Sequence, residues 1–105
     1  MELKVKEKKE IQEWLRASEA KEFEKVLKAL ANKRRLAIVK FLKKKGEGSV
    51  QEIAEVIALS FKSTSRHLAL LSSAEILEKE QKSTRVFYRI SKVEHAVVSR
   101  AISLL

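Results

Sequence analysis

Residues 49–73 read SVQEIAEVIALSFKSTSRHLALLSS, and this stretch decides the fold. Ser49 and Glu52 stand three residues apart, the spacing of a capping box, so a helix is predicted to begin just after Ser49. That helix is short, because Ser60 can accept hydrogen bonds from the free amides of a second helix that runs to about Ser73. The stretch therefore predicts a short helix, a three-residue turn and a longer helix.

The second helix has two unlike faces. Phe61, Thr64, Leu68 and Leu71 recur at helical spacing, so all four are expected in the core. The opposite face carries small and cationic side chains, namely Lys62, Ser63, Ser65, Arg66 and Ala69. Such a face is typical of a helix that enters the major groove of DNA, because small side chains let the backbone come close and arginine can donate two parallel hydrogen bonds to guanine.

The helical pattern of apolar residues ends after this helix. Residues 76–81 and 85–90 are two short runs, the second of them rich in β-branched and aromatic types, so they predict a hairpin around residues 82–84. The tip has no glycine, so we expect a loop longer than the tightest turn, and a mobile one. The hairpin would place three cationic side chains beside DNA, namely Lys79, Lys82 and Arg85.

Helical periodicity covers the remainder of the chain. The N-terminal third predicts one long helix or two abutting helices, with Trp14 on an apolar stripe as a dimer or core anchor. Asn32 is expected to cap the next helix, which ends at Gly46. Ser91 can cap a last helix that is apolar almost all the way round, so that helix should be covered on two sides.

This order of elements predicts a mainly α chain with a small β-hairpin. It is the order of a winged helix-turn-helix domain with extra N- and C-terminal helices. The expected ranges are a single domain over 1–105, an N-terminal extension over 1–22, the helix-turn-helix over 50–73, the wing over 76–90 and the last helix over 92–105.

Composition agrees with a nucleic-acid partner. The chain has 105 residues, enough for one domain, and its 23 lysines and arginines against 14 acids give a net charge of +9. Such an excess is expected of a protein that meets phosphates. Because the excess is spread along the chain, a lysine-rich solvated surface is the alternative on charge alone.

Several function classes are excluded. The chain has no cysteine, so a disulfide framework, a thiolate metal site and a cysteine nucleophile are ruled out. It also lacks a glycine-rich phosphate loop, and its two histidines are far apart, so we expect no enzyme and no catalytic residue. The charged first ten residues and the absence of a long apolar run predict neither export nor membrane anchoring, and hence a cytoplasmic protein.

Three segments resemble the ArsR-type winged-helix repressor family across about residues 23–105: VLKALANKRRLAIVKFL, SVQEIAEVIALSFKSTSRHLALLSSAEIL and EKEQKSTRVFYRI. The most specific piece is LSFKSTSRHLALL, which matches the family's pattern for the helix that reads DNA. The resemblance implies DNA contacts at Ser60, Lys62, Ser63, Ser65, Arg66 and along the wing from Lys79 to Arg85. It also implies a homodimer packed through the terminal helices, and we assign Trp14, Val93, Val97, Ala101 and Leu104 to its interface.

The chain departs from that family in its metal ligands. Metal-sensing members often carry cysteines at the start of the short helix, where this chain has Ser49 and Gln51, and others use several ligands on the last helix, which here has only Glu94 and His95. One such pair does not complete a first-row metal site, which usually needs three or four ligands. We therefore expect no metal and no cofactor.

Other departures concern the backbone and the basic residues. Ala58 and Glu75 stand where the family commonly has glycine. Arg34 and Arg35 lie at a helix start and oppose its dipole, so each should pair with an acid or a DNA phosphate. His67 either reaches a phosphate or lies half-buried and donates to a carbonyl, and the sequence leaves both open.

Two hypotheses of function follow. The first is a sequence-specific, double-stranded-DNA-binding transcriptional regulator, a repressor that binds an inverted-repeat operator as a homodimer. The alternative is a winged-helix module that docks on another protein of the transcription machinery, which the diffuse charge and the N-terminal extension motivate. RNA is a weaker option, because no aromatic pair on a sheet is visible for base stacking.

Overall fold

Six helices and one small sheet make up the computed structural model, which describes residues 2–92 and 95–105. In chain order the elements are α1 Val5–Arg16, α2 Ser18–Leu30, α3 Lys33–Lys45, β1 Gly48–Ser49, α4 Val50–Ile57, α5 Phe61–Ser73, β2 Leu77–Lys82, β3 Arg85–Ile90 and α6 Ala96–Leu104. The sheet is antiparallel with strand order β1-β3-β2. The predicted fold class, a mainly helical winged helix-turn-helix with extra terminal helices, is confirmed.

Local caps set the helix starts, as predicted. The Asn32 side chain accepts from the amides of Arg34 and Arg35 at 3.0 and 3.1 Å. At the start of α4, Ser49 Oγ accepts from the Glu52 amide at 3.2 Å while Glu52 Oε1 accepts from the Ser49 amide at 3.1 Å. These bonds satisfy amides that have no partner within the helix, so the elements begin where the sequence indicates.

The N-terminal third forms two helices. The extended backbone at Ala17, with φ −77° and ψ 150°, separates α1 from α2. α1 packs on α2 but contains no buried residue. None of the helices within residues 2–92 and 95–105 combines the length and apolar character needed to span a bilayer.

The core lies where α3, α4, α5 and the base of the hairpin meet. Its fully buried side chains include Ile38, Leu42, Ile53, Leu68, Leu71, Ile76, Val39 and Thr64. Three of the four positions on the α5 stripe are buried as predicted, but Phe61 is 62% exposed, so its assignment to the core was wrong. Phe61 is the first residue of α5, and the scaffold that covers the stripe begins only at the following turn.

The hairpin is tighter than predicted. Lys82 pairs directly with Arg85, so the loop is the two residues Ser83 and Thr84, and the expectation of a longer loop was wrong. Ser83 makes the turn by adopting a left-handed conformation with φ 59°, which a polar residue can reach at modest cost. A short strand that the sequence did not predict, β1, adds to this hairpin through the pairs Gly48 with Tyr88 and Ser49 with Phe87.

The last helix begins later than predicted. α6 starts at Ala96 with His95 at its N-cap, where no side chain caps the helix, so the assignment of Ser91 as its cap and of 92 as its start was wrong. The Ser91 amide donates to the Ile76 carbonyl at 2.9 Å, which ties residue 91 to the base of the hairpin. Val93, expected at a dimer interface, and Glu94, considered as a metal ligand, lie outside the described residues.

Candidate nucleic-acid interface

The N-terminal half of α5 presents cations to solvent. Ser60 Oγ accepts from the Ser63 amide at 3.1 Å and so holds the helix start. Lys62 and Arg66 are exposed, whereas Ser63 and Ser65 are half-buried. Within residues 2–92 and 95–105 the two cationic side chains have no hydrogen-bond or ion-pair partner, so both are available to an external anion.

Left-handed residues orient α5 and the wing. Ala58, in the turn between α4 and α5, has φ 54° and ψ 49°, and Glu75, just before the hairpin, has φ 60°. These are the two positions at which the resemblance led us to expect glycine. The turn geometry is therefore kept without glycine, and the cost is local backbone strain.

Arg34 and Arg35 donate hydrogen bonds to backbone carbonyls at the ends of two other helices. Arg34 Nη1 donates to the Ile57 carbonyl at 2.8 Å, at the end of α4. Arg35 donates through Nε to the Ala29 carbonyl at 2.6 Å and through Nη2 to the Lys28 carbonyl at 3.1 Å, both in the last turn of α2. The carbonyls at these helix ends, which carry partial negative charge, take the place of the acid that was one predicted partner, and the predicted DNA phosphate stays a prediction.

His67 faces the scaffold. The ring is half-buried, and its Nδ1 lies 3.2 Å from Arg35 Nη1, so the half-buried alternative is confirmed but the partner is a guanidinium instead of a carbonyl. Burial, followed by the charges of Arg35 and Arg34, lowers the pKa of His67 below its ordinary value. The histidine therefore supports the position of α5 as a neutral side chain.

The predicted wing cations differ in their surroundings. Lys82 Nζ lies 2.9 Å from Glu47 Oε1 and 5.5 Å from the centre of the Phe87 ring, so this lysine is held by its own chain. The Arg85 guanidinium lies 5.7 Å from the same ring centre. Lys79 pairs with Tyr88 across the hairpin and, like Arg85, lines a groove next to α5.

That groove separates α5 from the wing. It has a volume of about 370 Å³ and runs between the first residues of α4, the first residue of α5 and the hairpin. Its lining residues are Ser49, Val50, Gln51, Phe61, Lys79, Thr84, Arg85, Val86 and Tyr88. The structure thus brings two of the three predicted wing cations, Lys79 and Arg85, into one groove with the start of α5, and adds Phe61, which sequence reasoning missed.

The face of the hairpin opposite Lys79 carries acids that are already paired. Arg89 Nε lies 2.7 Å from Glu78 Oε1, and the same guanidinium contacts Glu80. Hydrogen bonds from Arg89 are the main cause that holds the pKa of Glu78 and of Glu80 below its usual range. Strand alternation was the available signal, because it places these three side chains on one face of the hairpin.

Apolar side chains lie exposed on the terminal helices. Trp14 is 45% exposed and lines a groove of about 490 Å³ together with Leu15, Phe23 and Leu27. On α6, Leu104 is 76% exposed, whereas Val97 and Ala101 are half-buried. In the part of the chain that the structure describes, no three His, Cys, Asp or Glu side chains cluster as a metal site would require.

The turn between α4 and α5, the exposed cations of α5 and the adjoining hairpin together define a winged helix-turn-helix domain. The family model described as HVO_A0114 matches residues 30–95. The chain is 31% identical over 74 residues to the arsenical resistance operon repressor of Bacillus subtilis, and the matched residues are 70% of each protein. The chain belongs to the ArsR family of winged helix-turn-helix transcriptional regulators.

Further relatives agree with this assignment. The HTH-type transcriptional regulator Rv0324 of Mycobacterium tuberculosis is 39% identical over 67 residues, which are 64% of this chain but only 29% of that protein. The homodimeric winged helix-turn-helix DNA-binding domain Mb0332 of Mycobacterium bovis, solved as a fragment, superposes with a TM-score of 0.73 at 34% identity, covering 85% of this chain and 79% of that one. These relatives are regulators, so the expectation that the chain is not an enzyme is confirmed.

Proposed function

We propose that this protein is a transcriptional repressor that binds an inverted-repeat DNA operator as a homodimer. The observation that carries the proposal is the pair of exposed cations on α5, Lys62 and Arg66, which have no partner of their own within the described residues. They belong to the helix whose first residue shares a groove with the wing. The repressor from Bacillus subtilis and the homodimeric DNA-binding domain from Mycobacterium bovis support it.

α5 reads base edges in this proposal. Arg66 is suited to donate two hydrogen bonds to guanine in the major groove, and Lys62, one turn earlier, contacts a base or a phosphate. Ser63 and Ser65 are short enough to let the helix backbone approach and can bond to either group. Ser60 contributes through its position at the helix start, where free amides favour a phosphate.

The wing supplies phosphate contacts in this proposal. Lys79 and Arg85 line the groove next to α5, and within the described residues neither forms an ion pair with an acid. Lys82 must first leave Glu47, so its contribution to affinity is smaller. Among the three predicted wing contacts, we therefore expect Lys79 and Arg85 to contribute more to DNA affinity than Lys82.

The exposed apolar surfaces of the terminal helices form the dimer interface in this proposal. Trp14 and Leu104 leave large apolar areas in water, and a second copy of the chain would cover them together with Val97 and Ala101. Val93 belongs to the same proposed surface. A two-fold symmetric dimer places the two α5 helices in successive major grooves, with half-site centres roughly 34 Å or a multiple of that apart.

The proposal includes no metal, and it assigns the protein to the cytoplasm. Zinc and arsenite are therefore expected to leave DNA affinity unchanged. Release of DNA by either ion would contradict this part of the proposal.

The proposal is tested by titrating a labelled duplex at two ionic strengths. Affinity should fall by at least tenfold between roughly 50 and 200 mM salt, because bound lysines and arginines release counterions from DNA. The double variant Lys62→Ala/Arg66→Ala should bind much more weakly. Its control is Lys40→Ala/Lys44→Ala, which removes the same charge at the same spacing from the exposed side of α3.

Light scattering on the same samples measures the oligomeric state. A dimer that Leu104→Glu converts to monomers supports the interface. A chain that binds no duplex at any salt concentration would favour the alternative, a module that docks on another protein.

A further inference from the structure

Phe61 is a large apolar side chain that its own chain leaves in water. It is 62% exposed, whereas Thr64, Leu68 and Leu71 on the same stripe of α5 are each 0% exposed. Hydrophobic stabilisation scales with the apolar area removed from water, so this ring contributes little to the fold.

The groove that Phe61 lines combines apolar and cationic side chains. Val50, Val86 and Tyr88 line it together with Phe61, and so do Lys79 and Arg85. None of the described residues that line this groove is acidic. Its occupant should therefore carry a compact apolar group next to negative charge.

We infer that Phe61 packs against the 5-methyl group of a thymine near the edge of each half-site and thereby selects sequence. The inference rests on the proposed function, because it needs α5 in the major groove. Thymine is the base that presents a methyl group there, and aromatic side chains are among its apolar partners. Lys79 and Arg85 hold the neighbouring phosphates while the ring reads the methyl group.

A protein partner fits the groove less well. A peptide that filled it would need an acidic residue opposite Lys79 and Arg85, whereas DNA carries phosphates at regular intervals next to every base. Phe61 is also the first residue of α5 and so lies at the same end of the helix as Ser60 and Lys62, which we assign to DNA contacts. Duplex DNA satisfies the apolar and the cationic part of the groove together.

The test uses the duplex that the wild-type chain selects from a random-sequence pool. In this duplex each thymine is replaced in turn by deoxyuridine, which removes only the methyl group. A single replacement of such a thymine, in one half-site, should weaken wild-type binding about fourfold, the effect of one buried methyl group. The same replacement should leave the affinity of Phe61→Ala unchanged, and Phe61→Ala should bind the unmodified duplex on the order of tenfold more weakly than wild type.

Leu70→Ala is the matched control. Leu70 is 51% exposed on the same helix but lines a different groove, next to Lys21 and Arg35, so its removal should change neither affinity nor the response to deoxyuridine. Circular dichroism checks that each variant is folded.

Three results would overturn the inference, and they are distinguishable. If Phe61→Ala selects the same sequence with wild-type affinity, the inference fails while the proposed function stands. If Phe61→Ala binds weakly but no deoxyuridine replacement affects wild type, the ring does not read thymine. If the wild-type chain selects no sequence, the proposed function has failed first.

Discussion

Arg35 Nη1 lies 3.2 Å from His67 Nδ1, and this contact links α5 to the end of α2. Because a guanidinium can only donate hydrogen bonds, His67 Nδ1 must accept, so the proton of the neutral ring is on Nε2. The same guanidinium donates to the carbonyls of Ala29 and Lys28. Arg35 therefore supports the position of the helix to which we assign base contacts.

Replacing Arg35 with alanine should lower the free energy of unfolding by roughly 1 to 3 kcal/mol, because charged hydrogen bonds to partly buried carbonyls are lost. Arg35→Lys should recover only part of this loss, since an ammonium cannot reproduce the fork of donors. Urea unfolding measures both. Lys33→Ala, at an exposed position of the same helix, is the control, and equal stability of Arg35→Ala and Lys33→Ala would contradict the role of Arg35.

Stability should fall as the pH drops below about 6.5, the ordinary pKa of histidine. The pKa of His67 is lower in the folded chain, so the unfolded chain takes up the proton first, and acid favours unfolding over the range between the two values. Asparagine can place an acceptor near Arg35 but does not titrate. His67→Asn should therefore lose less stability than wild type between pH 7.5 and 5.5 (roughly one unit either side of 6.5), and identical pH profiles would refute this assignment.

Ala58→Gly should raise the free energy of unfolding by about 0.5 to 1 kcal/mol. Ala58 holds a left-handed conformation that glycine adopts freely, and this gain exceeds the greater flexibility of glycine in the unfolded chain. Ala69→Gly, at an exposed position within α5, should instead lower stability by about 1 kcal/mol. If the turn is strained, the unfolding temperature should rise for Ala58→Gly and fall for Ala69→Gly. A shift of the same sign in both variants would show that the turn is not strained.

Gly48→Ala should destabilise the chain by about 1 to 3 kcal/mol. An added Cβ would lie 2.9 Å from Phe41 Cε2 and 3.3 Å from Ile53 Cγ1, so these packed side chains must move. In a Phe41→Leu background the penalty should shrink, because the closest ring carbon is gone. A double-mutant cycle by urea unfolding measures this coupling, and an unchanged penalty would place the cause elsewhere.

The parts of the fold that could be predicted depend on local chemistry. Asn32, Ser49 and Ser60 each bond an amide within three residues, so a cap is readable from a few letters. The start of α6 was not readable, because the Ser91 amide is bonded to Ile76, fifteen residues away in the chain. The two-residue turn was not predicted either, because the absence of glycine raises the free-energy cost of a tight turn without preventing it, as Ser83 shows.

The candidate site was predictable to a similar degree. Periodicity placed Lys62 and Arg66 on the solvent side of α5 correctly, since a helix face is fixed by residue spacing alone. Periodicity does not show how far along a helix the neighbouring elements cover its apolar face, so Phe61 was wrongly assigned to the core. The partners of Arg34 and Arg35 are backbone carbonyls of other helices, which any residue type supplies, and so the sequence does not encode them.

Binding of Arg66→Ala to the duplex selected by wild type tests the central claim most directly. The variant should lose roughly 1 to 3 kcal/mol of binding free energy on that duplex and much less on a random duplex of equal length, because a base contact is removed along with one charge. An affinity of Arg66→Ala for the selected duplex equal to that of wild type would contradict the claim that this face of α5 reads DNA.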